Sequence, residues 1–198
     1  LTSYNNGKPT SSTTITNVTV RNCTIGDPDL AVEEWGSAIY FNGRVNTNPL
    51  GISGGYTIEG NTLYGAISIC EDAGWEASSE TCIIYENHLY EGILLTGQRP
   101  TGWNLNSLTV LPTISNNTFY AAYYSVTDTD GNEYDYIVGS RDIDETKVLS
   151  EEQLEAILAN NAFAGDLSGK ELGIAIGAHT YANPGDEYHA IIYIIQVE

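Results

Sequence analysis

Residues 84–89 read Ile84-Tyr85-Glu86-Asn87-His88-Leu89: an apolar residue, two variable ones, an asparagine, one polar residue and a second apolar one. The same register recurs as VRNCTI from Val20, IEGNTL from Ile58 and ISNNTF from Ile114. Its fourth position holds Cys23, Asn61, Asn87 and Asn117, at spacings of 38, 26 and 30 residues. A short motif that returns at this interval, with inserts of variable length, marks a solenoid whose repeats stack to share one core. Asparagine suits the corner of such a repeat because it tolerates the left-handed backbone conformation that β-branched residues resist. The spacing therefore predicts a column of Asn61, Asn87 and Asn117, with Cys23 departing from it.

A second apolar stretch follows three of the motifs: residues 65–69 (GAISI), 92–95 (GILL) and 122–126 (AYYSV). In the first repeat the matching stretch, 37–41 (SAIYF), is delayed by an insert. Counting onward puts Ile39, Ile67, Ile93 and Tyr123 in one inward column.

Strand, asparagine corner and second strand, I-x-x-N-x-[LF]-x-x-x-x-I-x-[IL], resemble the right-handed parallel β-helix of the pectate-lyase-like superfamily over about residues 14 to 127. The resemblance implies an all-β fold of about four coils at residues 1–127, with asparagine amides bonded from coil to coil. An antiparallel sandwich with coincidental spacing is the competing reading.

From residue 128 the pattern changes. The run SVTDTDGNEYDYIV alternates about Asp130-Gly131, a hairpin signal. A helix follows, with Ser150 as N-cap, Gln153 completing a capping box, and Leu149 and Leu154 placed as a hydrophobic staple. Leu154, Ile157 and Leu158 give it one apolar face, and Asn160-Asn161 is expected to end it. Strands at about 172–181 and 188–197 flank the turn ANPGDE. Residues 128–198 thus read as a C-terminal α+β capping region of hairpins and one α-helix, since an uncovered last coil would expose unpaired strand edges.

Composition bounds what the chain does. It has 198 residues, with 7 Lys+Arg against 26 Asp+Glu, a formal charge of -19. Nucleic acid and anionic membrane surfaces would be repelled. The longest apolar run, 190–195 (AIIYII), has the length of a buried strand, not of a membrane span, so no membrane insertion is expected. A chain with no Met and no basic segment leading into an apolar one is expected to have lost a signal peptide or upstream domains. Cys70 and Cys82 bracket an eleven-residue segment that a disulfide would close in an oxidising compartment; buried thiols are the alternative. An extracellular or cell-surface location follows from this reading.

In a stacked solenoid the inserts are where chemistry is free to sit. Each carries one tryptophan: Trp35 in DPDLAVEEWG, Trp75 in EDAGWEASSE and Trp103 in GQRPTGWN, the last beside Arg99. An indole flanked by carboxylates and amides suits a sugar ring, which makes Trp35, Trp75, Trp103 and Arg99 candidate ligand-binding residues. Asp29, Glu34, Asp72 and Glu76 are candidate carboxylates for acid and base catalysis on a glycosidic bond; solvated surface is the plainer explanation. Asp128 and Asp130 in DTDGNEYD are weak Ca²⁺ candidates without EF-hand spacing, so no cofactor is assigned beyond possible Ca²⁺. Polygalacturonase-like members of the resembled superfamily carry N-x-D, Asp-Asp, Gly-His-Gly and Arg-x-Lys signatures, and this sequence has none.

The function expected is an extracellular glycan-binding or adhesive module, part of a longer chain, with a polysaccharide as partner. A polysaccharide-cleaving enzyme and a structural spacer or assembly subunit, open to self-association or upstream domains, are the alternatives.

Overall fold

The computed structural model describes residues 15–29, 37–42, 52–70, 82–96, 111–122, 124–127, 133–142, 148–183 and 186–197. The chain is mostly β, with three sheets in which the repeats pair parallel, antiparallel strands extending the third, and, among the described residues, one α-helix. This arrangement is compatible with a parallel β-helix.

Each of the first three repeats places one strand in each sheet. The first contributes β1 (Ile15–Arg21), β2 (Thr24–Ile25) and β3 (Ser37–Asn42). The second contributes β4 (Ile52–Glu59), β5 (Thr62–Leu63) and β6 (Ala66–Cys70), and the third β7 (Cys82–Tyr85), β8 (His88–Leu89) and β9 (Ile93–Thr96). The fourth supplies β10 (Thr113–Ser115) and β11 (Thr118–Phe119). Pairing runs in the order β1-β4-β7-β10 in one sheet and β2-β5-β8-β11 in the next.

Because side chains alternate across each strand, one set faces inward at every level. Val20, Ile58, Ile84 and Ile114 align in the first sheet. Ile25, Leu63, Leu89 and Phe119 align in the second. Leu63, Leu89 and Phe119 are fully buried, and these columns form the core.

The third sheet corrects one expectation. Ile39, Ile67 and Ile93 do share a column, but the fourth place belongs to Val138 instead of Tyr123. After β11 the chain enters β12 (Tyr124–Thr127), which pairs antiparallel with β13 (Glu133–Asp142), the hairpin expected about Asp130-Gly131. The second arm of that hairpin lies parallel to β9. Tyr136, Ile137 and Val138 are all buried, so the second arm of the hairpin supplies interior side chains at this level.

The helix α1, Glu151–Asn160, has the expected capping box at Ser150 and Gln153, and buries Leu154 and Ile157 against the core. It packs against β10 and β16. Asn161 does more than end it, because the chain passes directly into β14 (Ala162–Phe163), which pairs parallel with β11. A short 3-10 turn, Gly165–Leu167, leads to β15 (Leu172–Asn183) and β16 (Asp186–Val197), an antiparallel pair whose turn is tighter than expected. β16 pairs with β13 and so extends the third sheet.

The corner has a repeated hydrogen-bond system. The Oδ1 of Asn61 accepts from the Cys23 N–H at 2.9 Å, that of Asn87 from Asn61 at 3.0 Å, and that of Asn117 from Asn87 at 2.9 Å. Asn161 adds a further rung, accepting from the Asn117 N–H at 2.8 Å. The side-chain NH₂ groups bond along the same column, Asn61 to Asn87 and Asn87 to Asn117, both at 2.9 Å. Asn61, Asn87 and Asn117 are buried. Cys23 copies one of these bonds: its thiol contacts the carbonyl two residues back, Arg21 O, as the Asn87 and Asn117 amides do with Tyr85 O and Ser115 O.

The left-handed backbone expected at the asparagines lies one residue earlier, at Asn22 (φ 54), Gly60 (φ 64), Glu86 (φ 55) and Asn116 (φ 56). That residue makes the turn, and the asparagine that follows it at Asn61, Asn87 and Asn117 is buried. At Gly60 an added Cβ would come within 2.7 Å of Asn22 Oδ1, the end of an exposed side chain that can swing aside.

Candidate functional site

On the outer surface, the residue after each second-sheet strand forms another column. Tyr64, Tyr90 and Tyr120 follow Leu63, Leu89 and Phe119 and stack ring upon ring. Tyr64 and Tyr90 have centroids 4.6 Å apart at 33°, and Tyr90 and Tyr120 are 4.5 Å apart at 8°. The separation follows from the spacing of adjacent parallel strands, so the backbone itself places the rings in contact. His88 Nδ1 lies 3.0 Å from the Tyr120 hydroxyl and steadies the end of the column.

One residue further, the chain offers Asp27, Gly65, Glu91, Ala121 and Gly165 at successive levels. Glu91 is thus a long side chain with small neighbours on both sides. It lies in a groove of about 410 Å³ walled by the three tyrosines and bounded by Asp27 with Pro28 at one end and Gly165 with Asp166 at the other. Gly65 cannot be larger, because a Cβ would meet the Ala38 backbone nitrogen at 2.8 Å.

Burial pushes the Glu91 carboxyl up to about 7, against a smaller opposing effect from the Ala66 N–H, which donates to it. Partial burial and the adjoining Tyr90 phenol also raise Tyr64. Among the described residues, the groove lining contains no Lys, Arg or His. It combines aromatic edges and hydroxyls with one carboxyl that carries its proton near neutral pH, a set able to exchange hydrogen bonds with polyols or to deliver a proton.

The sign for stability follows from linkage. Glu91 holds its proton more tightly folded than unfolded, so its contribution is present at low pH and lost as pH rises from about 4.5 to about 7. Glu91→Gln removes that loss. After discounting for solvent screening, we expect the variant to gain about 1–2 kcal/mol over wild type at pH 8 and nothing at pH 4, measured by urea unfolding.

The structure reaches few of the residues that the sequence singles out. Asp29 is exposed beyond the groove, and its N–H bonds to Asp27 Oδ1 at 3.0 Å, so the turn puts Asp27 against the groove and not Asp29. Glu34, Asp72, Glu76, Trp35, Trp75, Trp103, Arg99, Asp128 and Asp130 lie outside the described residues. Cys82 is buried in the core, and the side chain of Cys70 is outside the described set. Among the described residues there is no group of three or more His, Cys, Asp or Glu placed to hold a metal. The tyrosine column and Glu91 were the features missed, although the signal was present: the motif extends by one position to IEGNTLY, IYENHLY and ISNNTFY.

Compared with protein-family models, curated proteins and solved structures, the chain gives no match.

Proposed function

We propose that this protein is a glycan-binding or adhesive module of a secreted or cell-surface protein, built as a right-handed parallel β-helix. The strong preference of parallel crossovers for the right hand supports the handedness. The observation that carries the function is the groove in which Tyr64, Tyr90 and Tyr120 stand beside Glu91, with Asp27 and Asp166 at its ends. Aromatic carbon beside regularly spaced hydroxyls and carboxyls matches the amphipathic character of a saccharide. The net charge of -19 disfavours uronic-acid polymers and points to a neutral glycan. Trp35, Trp75, Trp103 and Arg99, on the inserts, are proposed to extend the contact surface.

The test is a glycan array on wild type, Tyr90→Ala, Trp75→Ala and Trp103→Ala. We expect Tyr90→Ala to weaken binding by about tenfold or more, since it removes the middle ring of the column. No glycan bound by the wild type removes the binding reading and leaves the spacer or assembly subunit.

A second reading, polysaccharide cleavage, is favoured by one feature: half-burial in the groove pushes the Glu91 carboxyl up to about 7, into the range that suits a general acid. Release of reducing ends from a neutral polysaccharide, abolished by Glu91→Gln, would establish it over simple binding.

A further inference from the structure

We infer that the groove takes up an uncharged saccharide together with one proton on Glu91, so that binding weakens as the solution turns alkaline. The inference rests on the glycan-binding reading and assigns that site its regulation. Glu91 stands between the tyrosine wall and the small residues Gly65 and Ala121, half-buried before any ligand arrives. Its described protein partner is the N–H of Ala66, and the half-buried carboxyl is otherwise open to solvent water.

A saccharide laid along Tyr64, Tyr90 and Tyr120 displaces that water. The ionised carboxylate would then be further buried with no cation among the described lining residues to offset it, which disfavours the charged form. The protonated carboxyl, by contrast, offers one donor and retains acceptors, and so can bond a sugar hydroxyl in either sense. The other titratable groups facing the groove are Asp27 from the turn after β2, Asp166 from the 3-10 turn, and the phenols of Tyr64, Tyr90 and Tyr120, with His88 engaged on the Tyr120 hydroxyl. Asp27, Asp166 and the three phenols are not cationic groups, and His88 is not among the described lining residues. A uronate would bring another carboxylate to the same place, so the coupling also selects against acidic sugars.

Isothermal titration of the whole chain with cellohexaose, xylohexaose and hexagalacturonate at pH 6 and pH 8, each in two buffers of different ionisation heat, tests this. For whichever neutral hexasaccharide binds, we expect affinity about tenfold weaker at pH 8 than at pH 6, the order that linkage allows for a group ionising near neutrality. Proton uptake should be small at pH 6 and approach one per saccharide at pH 8. Glu91→Gln, confirmed folded by its unfolding midpoint, should bind equally at both pH values without proton uptake. Wild-type binding of a neutral hexasaccharide with no pH dependence and no proton uptake overturns the coupling while leaving the glycan reading intact. So does a pH dependence that survives in Glu91→Gln. Preference for hexagalacturonate, or binding of none of the three at either pH, overturns the glycan reading of the groove and the coupling with it.

Discussion

Asn87→Ala should bring this protein close to unfolding at room temperature. The Asn87 amide nitrogen donates to Ile58 O at 2.9 Å, with Tyr85 O and Asn117 Oδ1 at 3.0 and 2.9 Å sharing its two hydrogens. Its Oδ1 accepts from both the backbone and the side-chain nitrogen of Asn61. Alanine removes all of these at a site closed to water, since Asn61, Asn87 and Asn117 are 0–1% exposed. The Asn61 N–H and Ile58 O lose their bond to this side chain, while Asn61 Nδ2, Asn117 Oδ1 and Tyr85 O keep Val20 O, the Asn87 N–H and the Gly60 N–H. At about 1–3 kcal/mol for each buried polar group left without a partner, two such groups amount to roughly 2–6 kcal/mol. That rivals the whole stability of a typical domain, about 5–15 kcal/mol. Asn87→Asp should also be costly at neutral pH, because a carboxylate accepts from Asn61 but cannot donate to Ile58 O. Asn116→Gly, at the exposed left-handed position next to Asn117, should change stability by only a few tenths of a kcal/mol. Urea unfolding of the three variants gives the comparison; an Asn87→Ala midpoint near that of Asn116→Gly would mean the column contributes little.

The second large effect separates two neighbours on one strand end. Phe119 is fully buried and stacks on Phe163 at 5.7 Å, whereas Tyr120 points outward onto Tyr90. Phe119→Ala leaves a cavity in a packed interior and should cost about 3–5 kcal/mol. Tyr120→Ala removes one stacking partner and the His88 contact, and should cost about 1 kcal/mol. The order reverses for saccharide affinity, which Tyr120→Ala should reduce and Phe119→Ala, where it folds, should leave close to wild type. Equal losses of stability in the two would contradict the inward and outward assignment of this strand.

The parts of the fold legible in the sequence are those where local pattern and long-range contact agree. The hexad from Val20, Ile58, Ile84 and Ile114 announced both the inward columns and the ladder, because stacking in register makes each repeat its neighbour's template. The helix was equally readable, since Ser150 and Gln153 satisfy its first turn without help from elsewhere. Val138 was not, because two apolar stretches, one after Phe119 and one after the hairpin, competed for the same interior place. Only the packing of Tyr136, Ile137 and Val138 decides between them. Asn161 was hidden for a different reason: helix-ending chemistry and ladder chemistry ask for the same residue. Its amide donates to Ile157 O within the helix and to Ile114 O in the strand below.

The candidate site was less legible than the fold. Tryptophans and acidic clusters in the inserts stand out by composition, while Tyr64, Tyr90 and Tyr120 look unremarkable in a chain with 14 tyrosines. They matter only because the register superimposes them. Glu91 is distinguished solely by its small neighbours above and below, a property of no single repeat.

The asparagine column also bears on how such a molecule can change over evolutionary time. Between Asn61 and Asn117, each rung is served by the rungs adjacent to it and by backbone carbonyls of the stacked strands. Duplicating or deleting one whole unit between Asn61 and Asn117 would therefore leave every remaining amide with a partner of the same kind. Length is a free variable in this architecture, and the tyrosine wall would grow or shrink in step with it.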